Sequence, residues 1–222
     1  MTLQSQLSTL EASGLIRLAG VQPELEYLFR HALIQDAAYA SLVKADRRAL
    51  HLAVGEALER LYPDRLASQG LAPMLAQHFH AAGDDARALK YFTHAGDAAA
   101  RVYANAEAEM QYARALELAA REDSPVPASS DQLIHLYPRR GNALELTGQY
   151  PEAWRSYEEM EAFARAREDR ALELASLCER AKIRATPPPY TISQRGEPSQ
   201  NRPSPWPARW ATAGLSARSC GS

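Results

Sequence analysis

The stretch LYPRRGNALELTGQYPEAWRSYEEMEAFARAR, residues 136–167, decides the fold. Gly141 interrupts an otherwise bulky apolar face, Gly148 punctuates the run, and Pro151 stands just beyond it, where the first turn of a helix tolerates proline. Ala153 is then followed one turn later by Tyr157. That order predicts two helices joined by a glycine turn, with small residues letting the helices approach and a ring filling the space between them. The same small-then-aromatic spacing recurs along the chain: Ala88 with Phe92 and Ala95, Ala108 with Tyr112 and Ala115, and Ala153 with Tyr157 and Met160. Recurrence of one unit predicts stacked helical hairpins. A surface built this way binds partners and does no chemistry by itself.

Working outward, helices are expected at about 31–44, 46–62, 71–82, 86–103, 104–121, 131–147, 151–167 and 169–185. Asp46 is the expected N-cap of the second, whose Leu50, Val54, Leu58 and Leu61 form one apolar stripe. The helix before it presents Leu33, Ile34, Ala37 and Leu42. Pro125 and Pro127 mark residues 122–130 as a loop. At the start, Leu7, Leu10, Gly14, Leu15 and Ile16 read as a helix ending at glycine and running into a strand. Glu26 to Phe29 read as the return strand, after a turn at Ala19 and Gly20.

Composition bounds the function. The 222 residues are 46% hydrophobic and carry a net charge of −2, so a core is within reach and no polyanion-binding excess is visible. No apolar run approaches the ~20 residues of a bilayer span, and the start lacks a basic region followed by an apolar stretch, so a cytoplasmic location is expected. Cys178 and Cys220 are too few for a disulfide framework or a zinc knuckle. Beyond Thr186 the character changes: seven of the fourteen prolines lie there, and Arg195, Arg202, Arg209 and Arg218 face Glu197 alone, a charge of +3 that leaves −5 on the remainder. Such a mixture cannot bury enough apolar surface to offset its ordering entropy, so residues 186–222 are expected to be disordered. The helical pattern stops inside what should be a continuing hairpin, which points to a change of reading frame.

Residues 136–167 resemble a tetratricopeptide repeat, with Tyr137 at the large first-helix position, Gly141 at the small one, Leu144 at the next apolar one, Gly148 at the turn, and Ala153 and Tyr157 on the second helix. Arg140 and Met160 depart from that pattern. A second hairpin about Gly83 and Asp84 fits the same scheme, with Leu75, Phe79, Ala88, Phe92 and Ala95. The helix at Ala108 follows too soon for a regular array. Helix, short hairpin, helix at the start is similar to the end of a winged helix. The run YLFRHALIQDAAY, residues 27–39, followed by Arg47, Arg48 and His51, resembles the segment after the ATPase core of bacterial STAND-type signal-transduction ATPases. The resemblance implies an all-α, irregular α-solenoid: a winged-helix remnant at 1–30, a helical linker at 31–66, repeats at 67–185 and a tail at 186–222. It also implies a parent protein with an upstream ATP-binding domain, often an adenylate or guanylate cyclase as well. In those relatives a winged-helix histidine touches the nucleotide phosphate, a role that falls on His31 here.

Catalytic signatures point elsewhere. No glycine precedes a lysine as a phosphate-binding loop requires, and no strand-rich segment offers the paired aspartates of a cyclase. No cofactor and no metal are therefore expected in this chain. His78 and His80, two apart on one helix, point in different directions and cannot share a metal comfortably; His51, His94 and His135 stand isolated. Three functions remain: a regulatory protein-interaction module whose groove takes a helix or extended peptide, with Gln77, Asn142 and Glu145 as groove residues; a DNA-binding regulator; or part of a cyclase whose catalysis is encoded upstream. The DNA reading needs a basic recognition helix, whereas residues 4–13 contain Glu11 and no Lys or Arg.

Overall fold

The computed structural model describes residues 2–21, 25–68, 70–121 and 128–185; the tail from 186 and the prolines Pro125 and Pro127 lie outside them. Helix α1 (Leu3–Ala12) is followed by β1 (Ile16–Gly20), β2 (Glu26–Phe29) and α2 (Ala32–Ser41). Thr2 caps α1 by accepting a hydrogen bond from the Ser5 amide, and Gly14, at φ +72°, turns the chain out of the helix into β1. The strands pair antiparallel, Ile16 opposite Phe29 and Leu18 opposite Tyr27. The expected turn at Ala19 and Gly20 is corrected: both lie on β1, where Gly20 pairs with Glu26. Among the described residues of this N-terminal portion only Ile16 is buried.

Helix α3 (Lys44–Leu61) begins two residues ahead of Asp46, with Val43 as N-cap. Asp46 sits inside the first turn instead, where a carboxylate still opposes the positive end of the helix dipole. Likewise α2 ends at Ser41 rather than 44, because Leu42 is already extended. The stripe read on α3 is also corrected, since Leu50, Val54 and Leu61 are exposed. The face that packs carries Gly55, buried, and Leu52 and Leu58, partly buried against the core.

From α3 onward each helix packs on the next: α4 (Leu71–Ala82), α5 (Asp85–Arg101), α6 (Asn105–Ala119), α7 (Ser130–Leu146), α8 (Tyr150–Ala166) and α9 (Arg170–Ala185). The turns are specified locally. Gly83 and Gly148 adopt φ of +83° and +78°, which glycine reaches without a Cβ penalty. Asp84 accepts from the Arg87 amide at 2.9 Å to cap α5, and Ser129 forms a reciprocal capping box with Gln132 on α7. Pro151 stands in the first turn of α8.

Among the described residues a glycine faces an aromatic ring three times. A Cβ at Gly55 would lie 2.9 Å from the Phe79 ring, one at Gly96 would lie 2.5 Å from Tyr112, and one at Gly141 would enter the Tyr157 ring. Phe79, Tyr112 and Tyr157 are essentially fully buried. These nests join α3 to α4, α5 to α6 and α7 to α8. Leu75, Phe79, Ala88, Phe92 and Ala95, read as one hairpin about Gly83 and Asp84, are all buried, and α4 packs on α5. Gly83, Ala88, Phe92, Ala95, Ala108 and Ala153 all occupy the helices and turns anticipated, and the five beyond Gly83 are buried. Arg140, at an expected apolar site, is held by Glu109 at 3.0 Å and Glu159 at 3.8 Å. Met160 replaces a small residue without loss of burial.

Candidate functional site

Alternate helices are linked by side chains across the array. Arg87 and Tyr91 of α5 reach Glu56 and Glu59 of α3, Asp97 of α5 meets His135 and Arg139 of α7, and α7 touches α9 directly. Helices α3, α5, α7 and α9 therefore share one layer. Three buried tyrosines donate to carboxylates of that layer: Tyr91 to Glu59, Tyr112 to Asp97 at 2.8 Å, and Tyr157 to Glu145 at 3.0 Å. Burial, reinforced by the adjacent carboxylate, pushes all three phenols well above their ordinary value, so they stay protonated donors. Each thus pins the orientation of an acid that faces outward.

A cavity of about 650 Å³ opens between α7 and α9, floored by Tyr157 and lined by Ile134, His135, Arg139, Asn142, Glu145 and Lys182 among others. His135, Arg139, Asn142 and Glu145 fall three or four apart on α7, so one helix face presents these four. Burial raises the Glu145 carboxyl above the usual range even though the Tyr157 bond acts the other way. Lys182 donates to Glu179 at 2.6 Å on the opposite wall. A smaller cavity of about 380 Å³ adjoins it between α5 and α7, with Lys90, His94, Asp97 and His135 in its lining. His94 Nδ1 is buried there without a hydrogen-bond partner, and burial followed by the Lys90 charge lowers its pKa. The lining of the trough combines hydrogen-bond donors, acceptors and the aliphatic surface of Ile134 and Pro138.

Asn142 and Glu145, anticipated from sequence, line this trough; Gln77 is exposed on α4 and lies outside its lining. His31 is the exposed N-cap of α2 and makes no side-chain capping bond. His51 and His135 are not isolated as expected. His51 Nδ1 lies 3.0 Å from His78 Nδ1 and its Nε2 3.0 Å from the Tyr39 hydroxyl, while His135 Nε2 lies 3.3 Å from Asp97. Both pairings cross between helices, so sequence spacing on one helix could not show them. Gly55, Gly96, Asp97 and Lys182 were not anticipated. Gly96 did leave a signal, because it precedes Tyr112 by the same sixteen residues that separate Gly141 from Tyr157.

Among the described residues no group of three or more His, Cys, Asp or Glu could hold a metal ion, and no helix is long and apolar enough to cross a membrane. No protein-family model, curated protein or solved structure matches the chain.

Proposed function

We propose that this chain is a non-catalytic, cytoplasmic interaction module of the tetratricopeptide type, which receives a protein segment in the trough between α7 and α9 and couples that event to an ATP-binding signalling domain encoded upstream. The observation that carries this reading is the stripe His135, Arg139, Asn142 and Glu145, aligned on one face of α7 over a cavity whose floor is fixed by the bond from Tyr157 to Glu145. Fixed side chains lose little entropy on binding, so modest contacts suffice for affinity. Leu33, Leu50, Val54 and Leu61, exposed on α2 and α3, support an adjoining domain that covers them. In this reading ATP and any cyclase activity belong to the parent protein, with His31 presented toward the nucleotide domain.

The test uses the full chain against an array of fifteen-residue peptides, in parallel with an Asn142→Ala, Lys182→Glu double variant. A set of peptides retained by the wild-type chain and weakened about tenfold or more in the variant supports the trough. Identical retention by both, or no retention by either, refutes it.

A further inference from the structure

His51 of α3 and His78 of α4 meet nitrogen to nitrogen. Their Nδ1 atoms are 3.0 Å apart and the ring centroids 5.1 Å, so the rings point at one another rather than stack. Two bare nitrogens repel and two protonated ones clash, so at this distance a single proton lies between them. The other nitrogen of His51, Nε2, lies 3.0 Å from the Tyr39 hydroxyl, and Arg47 covers the Tyr39 ring at 5.3 Å. A hydrogen-bonded chain thus runs from α2 through α3 to α4. Its place in the fold gives it leverage. Arg48 lies beside Gly83 and Gly55 against Phe79, so α3 and α4 run antiparallel and the pair sits where α3 first reaches the array. From 32 to 50 every residue is exposed except Ile34, Leu42 and Arg47, which are half-buried. Apolar contact with the core begins only beyond His51, at Leu52 and Gly55.

We infer that Tyr39, His51 and His78 form an acid-released clasp, which holds α2 and the first turns of α3 on α4 while the facing nitrogens share one proton and opens when each carries its own. The proton count sets a threshold. In the neutral pair one Nδ1 donates and the other accepts. A first added proton goes to an outward nitrogen, which keeps the shared bond and makes it charge-assisted. Tyr39 adapts to either state, because a hydroxyl both donates and accepts. A second proton has only the facing lone pair left to occupy, and the bond is lost. The surroundings offer little to offset that second charge. Burial and then His51 lower the His78 pKa, and Arg47 and Arg48 add positive charge from α3. Asp36 and Asp46 are exposed to solvent. Glu56 and Glu59 are engaged by Arg87 and Tyr91 of α5, and Asp85 lies 2.9 Å from Arg121 and 4.0 Å from His80. Opening therefore falls below the ordinary histidine value of about 6.5. This inference rests on the seam of α2, α3 and α4 and not on the peptide-binding trough.

Hydrogen exchange of the full chain in EDTA, corrected for its intrinsic pH dependence, compares residues 32–50 with α5 and α6. From pH 7.5 to 5 the protection of 32–50 should fall about tenfold or more while α5 and α6 keep theirs. His78→Gln is the control, because the glutamine carbonyl accepts from His51 Nδ1 whatever charge His51 carries; its protection should be the same at both pH values. Circular dichroism checks that its helices persist. Proton NMR of the imidazoles counts the protons: His51 and His78 should titrate as a pair in two steps, and His51 in a single step in His78→Gln. Protection of 32–50 that is unchanged in wild type overturns the inference. An equal loss in His78→Gln also overturns it and assigns the change to general loosening in acid, and two independent single-step titrations in wild type remove the shared proton on which it stands.

Discussion

Replacing Gly141 by alanine sets two effects of opposite sign against each other. On a solvated helix the change is stabilising by about 1 kcal/mol, because glycine has the poorer helix propensity. Here the new Cβ would sit 2.5 Å from Tyr157 Cε1 and closer still to Cζ and the hydroxyl, separations that no pair of carbon atoms tolerates. Tyr157 is fully buried and cannot swing into solvent, so either the ring or the whole of α8 must shift. Overpacking of this kind costs about 1–3 kcal/mol. A ring that shifts also loosens its bond to Glu145, and a hydrogen bond to a charged group is worth about 1.5–3 kcal/mol. The net expectation is a loss of roughly 1–4 kcal/mol, which for an array of this size lowers the melting temperature by about 2–4 °C per kcal/mol. Thermal denaturation followed by circular dichroism measures it. The series has an internal order, because Gly55→Ala approaches Phe79 only to 2.9 Å and should cost least. A Gly141→Ala protein that melts at or above the wild-type temperature would show that α7 and α8 do not nest through this contact, and the repeat architecture built on it would fall.

Three further outcomes follow from the packing. Ala153→Leu places a longer side chain at a fully buried position beside Trp154 and Tyr157 and should destabilise by about 1–3 kcal/mol in chemical denaturation, with the denaturant slope unchanged. Asp84→Ala removes both the cap of α5 and the 2.6 Å ion pair to Arg87, and a loss of about 0.5–2 kcal/mol is expected, largely recovered by Asp84→Asn if the cap dominates. Burial, and then His51, lower the pKa of His78 in the fold. The folded state therefore binds fewer protons than the unfolded one, and this contribution, complete above the ordinary histidine value of about 6.5, is lost as pH falls below it. Melting temperatures of wild type and His78→Gln, compared from pH 7.5 down to 5, should converge at acid pH; parallel curves would contradict the assignment.

Much of the helical order was legible because its signals are local. Gly83 and Gly148 ended helices where expected, Pro151 opened one, and the alanines and rings of α5, α6 and α8 identified their buried faces. Helix α3 was read by apolar content, which selected Leu50, Val54 and Leu61 as core; Gly55, which has no side chain to score, marks the face that packs. Asn142 and Glu145, which line a cavity, could be named in advance because the two helices around them read as the most regular hairpin. Asp97, His135 and Lys182 belong to three different helices, and only the layer of alternate helices brings them to two adjoining cavities that share His135.

The sequence by itself determined where most of the helices lie and which small residues and rings share a helix face, since caps, turns and one-turn spacings involve residues within reach along the chain. Tertiary structure decided the pairing of His51 with His78 and of Asp97 with His135, and which ring covers each of Gly55, Gly96 and Gly141. The physical reason is that periodicity states that a face is apolar or small, while the identity of its neighbour depends on how the helices stack.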